Sequence, residues 1–312
     1  MNASEWRKGA RLFGLFRPAS RLPMPLAYRV AEMVGFLDYH IRADLRQVIG
    51  SGLAAAVTEA KDPAQREDWV RHYCKMMSRE VMDAFFMSRL NQDNSTSLVS
   101  IPPDSLALMR SLREEERGII VVMAHYGRLN LLLLALAMAG YDLGMLTIAV
   151  DERNPDLSPV DRAYLGGKVA ALQKQIRGRW VSLGDNLRGL YQGLKSGEII
   201  IILMDAYHTG QDDNRIELPF LGGHLNVSEG IVRLAEKTGA RMIYGAVRDP
   251  LPSETGKASW QAVATLRPLP EEPAEALKQS VAWLEQDVQE MPWLWWHWNI
   301  LDYIWKPAVV HE

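Results

Sequence analysis

From about residue 103 onward the chain alternates short apolar runs with stretches of helical period, and no other feature narrows its fold as much. The runs are Gly118 to Ala124, Leu143 to Val150, Trp180 to Leu183, Glu198 to Met204 and Arg241 to Val247. They are largely apolar at successive rather than alternate positions, the pattern of strands covered on both faces. Trp260 to Leu266 fits an edge strand. Helical periodicity fills the intervals near 129–139, 159–176, 185–195, 228–238 and 272–290. Strands separated by helices pair in parallel through crossovers, so the expected class is α/β, with a mixed, mostly parallel sheet flanked by helices.

The region before this alternation is helical. Leu26, Val30, Met33, Val34, Leu37, Ile41, Leu45 and Val48 follow a 3.6-residue period that predicts one or two long helices up to Val57. Asp62-Pro63 supplies an N-cap and a first-turn proline for a further helix towards Leu90. The polar stretch from Asn91 to Pro103, with its Pro-Pro pair, marks a boundary. The organisation is thus an N-terminal helical region, 1–100, followed by an α/β domain, 101–312, the two forming one structural unit. A chain of 312 residues that is 48% hydrophobic can bury a core of that size.

Bulk properties remove several classes of function. A net charge of -3 lacks the basic footprint that nucleic acid requires, so no nucleic-acid partner is expected. One cysteine, Cys74, excludes an internal disulfide and a cysteine metal cage. No uncharged run approaches the roughly 20 apolar residues of a membrane span, and a compact signal-peptide core is not evident. Residues 1–25 carry Arg7, Lys8, Arg11, Arg17 and Arg21, with Trp6, Ala10, Phe13 and Phe16 at helical spacing. Such a segment suits a membrane surface, and equally suits packing on the body of the protein. The expected location is cytoplasmic, or peripheral on the cytoplasmic face of the inner membrane.

Sites in open α/β sheets form at the carboxyl ends of strands. The first exit delivers His125-Tyr126-Gly127-Arg128-Leu129-Asn130 at the start of an apolar helix, where the helix dipole favours a neutral, proton-accepting imidazole. Gly127 would let a substrate approach the backbone. The second exit presents Asp151-Glu152-Arg153-Asn154-Pro155, in which Arg153 either holds an anion or decorates a surface turn. The third begins Asp205-Ala-Tyr-His-Thr, where Asp205 serves as a site residue or a cap. Leu218-Pro219-Phe220-Leu-Gly-Gly223 is an apolar segment with a turn, and Asn226-Val-Ser-Glu229 resembles a capped helix start.

Taken in order, these blocks resemble the bacterial lipid A biosynthesis acyltransferase family, which is similar to the glycerol-phosphate acyltransferases. Leu22-Pro23 with the helix after it, and Trp293-Leu-Trp-Trp-His297, resemble the family's two ends. The resemblance implies a His-x-x-x-x-Asp/Glu signature in which the histidine deprotonates an acceptor hydroxyl for attack on an acyl thioester. Here the sixth position is Asn130, whose amide oxygen can still fix the imidazole tautomer. Tyr126, Gly127, Arg128, Arg153, Asn154, Asp205, Pro219 and Phe220 are the expected substrate-binding positions; Arg128 stands where the family usually has Asn, and its cation, like that of Arg153, would hold an anion. The apolar Leu131–Met138 helix would form part of an acyl groove. Trp298-Asn299 replaces the family's Arg-Arg, pointing to an acceptor less anionic or smaller than lipid A.

The expected function is transfer of a fatty acyl chain from an acyl carrier protein or coenzyme A thioester to a hydroxyl or amine, with His125 as base. An amine acceptor asks less of that base. The alternative is a degenerate relative that binds an acyl chain or partner enzyme without transfer, its Trp-rich tail serving as an interaction surface. A thioesterase would need only water as acceptor, but a Gly-x-Ser-x-Gly elbow is missing. Phosphate-loop, dinucleotide and His-Glu-x-x-His patterns are missing too, so neither a metal nor a cofactor beyond the donor is expected.

Overall fold

The computed structural model describes residues 3–207, 215–251 and 260–308. Helix α1 (Ala3–Gly9) runs through a π-helical turn, Ala10–Phe16, into the short α2 (Arg17–Ala19). Next come α3 (Met24–Ile41), α4 (Ala43–Ala56), α5 (Pro63–Phe86) and the single turn α6 (Gln92–Ser95). The periodic stretch from Leu26 to Val57 is two helices because Arg42 leaves helical geometry, with φ -95° and ψ 81°. Helix α5 begins where the sequence signals it: the Asp62 carboxylate accepts from the Ala64 N–H, and Pro63 fills the first turn.

The alternating region unfolds in order as β1 (Val99–Ser100), α7 (Pro103–Glu114), β2 (Ile119–Met123), α8 (Asn130–Met138), β3 (Leu143–Thr147), α9 (Pro159–Ile176), β4 (Arg177–Ser182), α10 (Arg188–Lys195) and β5 (Ile199–Leu203). A hairpin follows, β6 (Arg215–Phe220) and β7 (Gly223–Ser228), then α11 (Gly230–Thr238), β8 (Arg241–Arg248), β9 (Ala262–Pro268) and α12 (Pro273–Glu290). The described chain closes with α13 (Leu301–Ile304) and β10 (Trp305–Pro307). The main sheet has seven strands in the order β1-β9-β8-β2-β5-β3-β4. Every neighbouring pair is parallel except β8 with β9. The fold is therefore α/β, with a mixed, mostly parallel sheet flanked by helices and an N-terminal helical region.

The central strands β2 and β5 are the purest apolar runs, Ile-Ile-Val-Val-Met and Ile-Ile-Ile-Ile-Leu, and the sheet buries both nearly completely. Two sequence expectations shift by neighbourhood. The strand near Trp260 is not at the edge, because two residues of the boundary stretch, Val99 and Ser100, form β1 outside it. Asn226 to Ser228 remains extended in β7, and the helix opens only at Gly230, because β6 pairs with that segment from Arg215 to Glu217. Leu221 and Gly222, both at positive φ, make the two-residue turn of this hairpin.

Successive residues of β2 face opposite cores. Ile120 and Val122 join Ile49, Leu53, Trp69 and Tyr73 from α4 and α5, while Ile119 and Val121 join Tyr28, Met82 and Phe86 from α3 and α5. The helical region thus shares both cores with the sheet. The tryptophan-rich tail belongs to the first core: Trp295 and Trp298 are buried, packed edge to face at 4.9 Å. It is not an exposed interaction surface, since α4 sits so close that a Cβ at Gly52 would lie 2.6 Å from the Trp298 carbonyl oxygen.

Contact between α3 and α5 is equally tight at Gly35, where a Cβ would meet the Cys74 carbonyl oxygen and the Lys75 Cα at 2.6 Å. Both are backbone atoms with no room to yield. Gly35→Ala is expected to lower unfolding free energy by ~1–3 kcal/mol in urea titrations. Gly14→Ala, also helical but with nothing within 4 Å of its Cβ, serves as the control and does not destabilise, raising the unfolding free energy by up to ~1 kcal/mol.

Candidate active site

Strands β2 and β5 are adjacent, parallel and in register, Met123 opposite Leu203. The residues two positions beyond each strand, His125 and Asp205, consequently leave the sheet side by side at its carboxyl edge. The buried Asp205 carboxylate accepts the His125 backbone N–H with both oxygens at 3.0 Å, and Oδ1 lies 2.9 Å from His125 Nδ1. Trp295 Nε1 donates to Oδ2 at 3.1 Å. Burial pushes the Asp205 pKa up, but the imidazoles of His125 and His297 and these hydrogen bonds outweigh it, holding the carboxyl well below its usual range. An ionised Asp205 makes Nδ1 the protonated nitrogen of His125. Nε2 then carries the lone pair, and no described group bonds to it.

A second imidazole completes the cluster. His297 Nε2 lies 3.1 Å from His125 Nδ1 and 3.6 Å from Asp205 Oδ2. Desolvation drives its pKa down to about 4, so it is neutral at pH 7. Trp296 flanks the His125 ring, centroids 5.5 Å apart. His125, Asp205 and His297 place two imidazoles and a carboxylate within 4.8 Å of one another. That donor set suits a divalent transition metal, yet the three groups also satisfy one another by hydrogen bonding alone.

The tail is laced onto the turn that carries His125. Trp296 N–H donates to the His125 carbonyl at 2.9 Å, Gly127 N–H to the Leu294 carbonyl at 2.7 Å, and Trp296 Nε1 to the Gly127 carbonyl at 2.8 Å. Gly127 has φ +59°, and a Cβ there would lie 1.9 Å from the Val247 carbonyl oxygen. The glycine is needed for the approach of β8, where the sequence suggested the approach of a substrate. Tyr126 is buried, its hydroxyl donating to the Asp287 carbonyl at 2.8 Å.

The remaining sequence-selected residues disperse. Asn130 is buried and its amide donates to Glu80 at 3.3 Å, so its bond goes to α5 and not to the His125 ring. Arg128 is fully occupied: its fork meets the Asp83 carboxylate at 2.7 and 2.5 Å, a third nitrogen donates to the Trp260 carbonyl, and the guanidinium lies over the Tyr28 ring. Burial opposes its charge, but Asp83 raises its pKa above the ordinary value. Arg153 is exposed and pairs with Asp151 and Asp185, while Asn154 ties down its own loop through the Ala149 carbonyl. Phe220 packs edge to face on Trp295 at 5.1 Å, beneath the site, and Pro219 faces outward. His208 and Thr209, in the block opened by Asp205, lie outside the described residues.

Leu131, Leu132, Leu133, Leu134 and Leu136 are wholly buried and fill core rather than a groove. From α8, Ala135 and Met138 line a cavity of about 540 Å³ shared with Val99 and Ile101. His297, Glu80 and Asp83 did not stand out in sequence as site residues. The signal for the two acids was their spacing of three between Met76, Met82 and Phe86, which puts carboxylates on an apolar helix face, where an unpaired charge is untenable. Lys168 answers one of them by pairing with Glu80, and it lies over the Trp296 ring. Nothing local tied His297 to a histidine 172 positions away.

A seven-stranded α/β sheet with a carboxylate-held histidine at a central strand exit defines a site suited to moving a proton on or off a substrate. The profile of the bacterial lipid A biosynthesis acyltransferase family matches residues 13–300, most of the chain. The chain belongs to that family, and by that membership is an acyltransferase. No curated protein sequence matches it significantly.

The unfolded chain protonates His297 near pH 6.5, the folded chain only near 4. Between these values the unfolded state binds more protons, so stability is full above about 6.5 and declines as the pH falls towards 4. The span corresponds to ~3 kcal/mol. Unfolding midpoints measured across this window should fall with pH in the native protein, and the slope should flatten in His297→Gln.

Proposed function

We propose that the protein transfers a fatty acyl chain from an acyl carrier protein or coenzyme A thioester to a hydroxyl or amine acceptor, with His125 as general base and Asp205 as its orienting carboxylate. The observation that carries this reading is the 2.9 Å contact between His125 Nδ1 and Asp205, which leaves Nε2 without a described partner. Nε2 takes the acceptor proton as the acceptor oxygen or nitrogen bonds to the thioester carbonyl carbon. The tetrahedral intermediate collapses, the C–S bond breaks, and the imidazolium returns its proton to the departing thiolate. While charged, the ring is stabilised by Asp205, and His297 stands as a neutral second acceptor beside Nδ1.

Asp205 thereby supplies the carboxylate that a His-x-x-x-x-Asn signature lacks. This removes the main motive for a non-catalytic reading. No cofactor beyond the donor is required, so chelators are expected to leave turnover unchanged. We place the reaction at the cytoplasmic face of the inner membrane, with the basic residues 1–25 in contact with it.

Product formation from acyl donors and candidate acceptors, followed by mass spectrometry, tests the assignment. Asp205→Asn should lower turnover by about 10⁴, the size of effect seen when an orienting carboxylate becomes an amide. Asn130→Ala should lower it less than about tenfold, the effect of a group that only helps positioning. Equal losses in the two variants, or turnover surviving His125→Ala, would sink the assignment. Asn130→Glu is expected not to improve the enzyme, because it sets a second buried carboxylate beside Glu80. Its melting temperature should fall by an amount equivalent to about 3 kcal/mol.

A further inference from the structure

Helix α3 is apolar on both sides. Its inner face, Ala27, Tyr28, Ala31 and Val34, is buried in the protein. Leu22, Leu26, Met33, Phe36, Leu37 and Ile41 recur on the opposite face and are exposed, Met33 by 58% and Ile41 by 76%. Among the described residues, every large apolar side chain left exposed lies between Trp6 and Val48, save Tyr303. A contiguous apolar face of this kind marks an interaction surface.

Charge selects the partner. Arg17, Arg21 and Arg29 are exposed around this face, and none has an ion pair among the described residues. The acids nearby are engaged: Asp38 pairs with Arg11, Asp44 with Arg42, and Glu32, half-buried on α3 beside Met33, has a partner of its own. An apolar stripe with unpaired cations beside it matches an anionic bilayer, where aliphatic side chains enter the acyl boundary and arginines meet headgroup phosphates. A second copy of the chain fits less well, because an isologous contact of this face with itself would bring the same unpaired arginines of both copies together. No described helix is long and apolar enough to cross a membrane, so the contact lies along the surface.

We infer that α3, with Leu22 ahead of it, is the surface by which this protein lies on an anionic phospholipid membrane. The inference rests on the membrane placement proposed above and moves its centre from residues 1–25 to α3. Within the first segment Phe16 is buried, Phe13 packs on Phe85, and Lys8 and Arg11 are paired with Asp161 and Asp38, which leaves Trp6 as its large exposed aromatic.

The test is co-sedimentation of the full chain with vesicles of phosphatidylcholine alone and of phosphatidylcholine containing phosphatidylglycerol. The protein should partition onto the anionic vesicles, and less so as salt is raised. Replacing exposed side chains together, Met33→Ser, Phe36→Ser and Leu37→Ser, should weaken partitioning by about tenfold or more. The melting temperature should fall by no more than a few degrees, since none of the three belongs to either core. Arg17→Gln with Arg21→Gln and Arg29→Gln should abolish the preference for phosphatidylglycerol. The inference is overturned if the native chain stays in the supernatant, or if the serine variant partitions undiminished. It is equally overturned if light scattering shows a dimer that the serine variant dissociates while vesicles remain unbound. No turnover is needed, so loss of the catalytic assignment leaves this result standing, and the converse holds as well.

Discussion

The parallel pairing of β2 with β5 is the constraint on which the site depends. Both strands are apolar throughout and buried on both faces, so their register is set by the cores above and below rather than by any polar group. Once Met123 stands opposite Leu203, His125 and Asp205 emerge together. A slip of one residue would turn each side chain to the opposite face of the sheet. The carboxylate then secures the arrangement by binding the histidine twice, at its backbone N–H and at its ring. A charge so deeply buried is tolerable because every direction it faces offers a donor, with Trp295 supplying the last.

A second buried ionic group joins the helical region to the sheet on the other side of the His125 turn. Arg128 and Asn130 point towards α5, where Asp83 and Glu80 receive them, and Lys168 from α9 reaches the same Glu80. Such pairs are costly to desolvate and contribute more to fixing one geometry than to net stability. Their effect here is to hold the start of α8 against α5. The two departures from the usual family pattern around the histidine are therefore matched by charges on another helix.

The tail works in the same sense. Tryptophans that in sequence suggest a sticky end are the roof of the site: Trp295 supports Asp205, Trp296 caps the His125 turn, and His297 enters the hydrogen-bonded cluster. Residues from the C-terminal end of the family match thus converge on an imidazole 172 positions earlier in the chain. By contrast, α3 shows its surplus of apolar residues to the outside, where neither the cores nor the sheet have use for them.

By itself the sequence determined the fold class, six strands of the main sheet and the helices between them, the start of α5 at Asp62-Pro63, and the prominence of His125. Each of these follows from local periodicity, capping chemistry or position at a strand exit, all written within a few consecutive residues. The helix α7, the hairpin β6–β7 and the closing α13 and β10 were not legible in it. Tertiary structure alone decided who partners that histidine. Asn130 is five residues away in the chain, but helix geometry turns it to Glu80. Asp205 is 80 residues away, but a non-sequential strand order makes it the neighbour. In sequence it was legible as a site residue or a cap, but not as the partner of His125. Arg128 carried a charge that sequence could locate but not spend, because whether a guanidinium faces solvent or Asp83 depends on which helix packs above it. Strand order and helix packing are properties of the whole buried core, and no short window of sequence contains them.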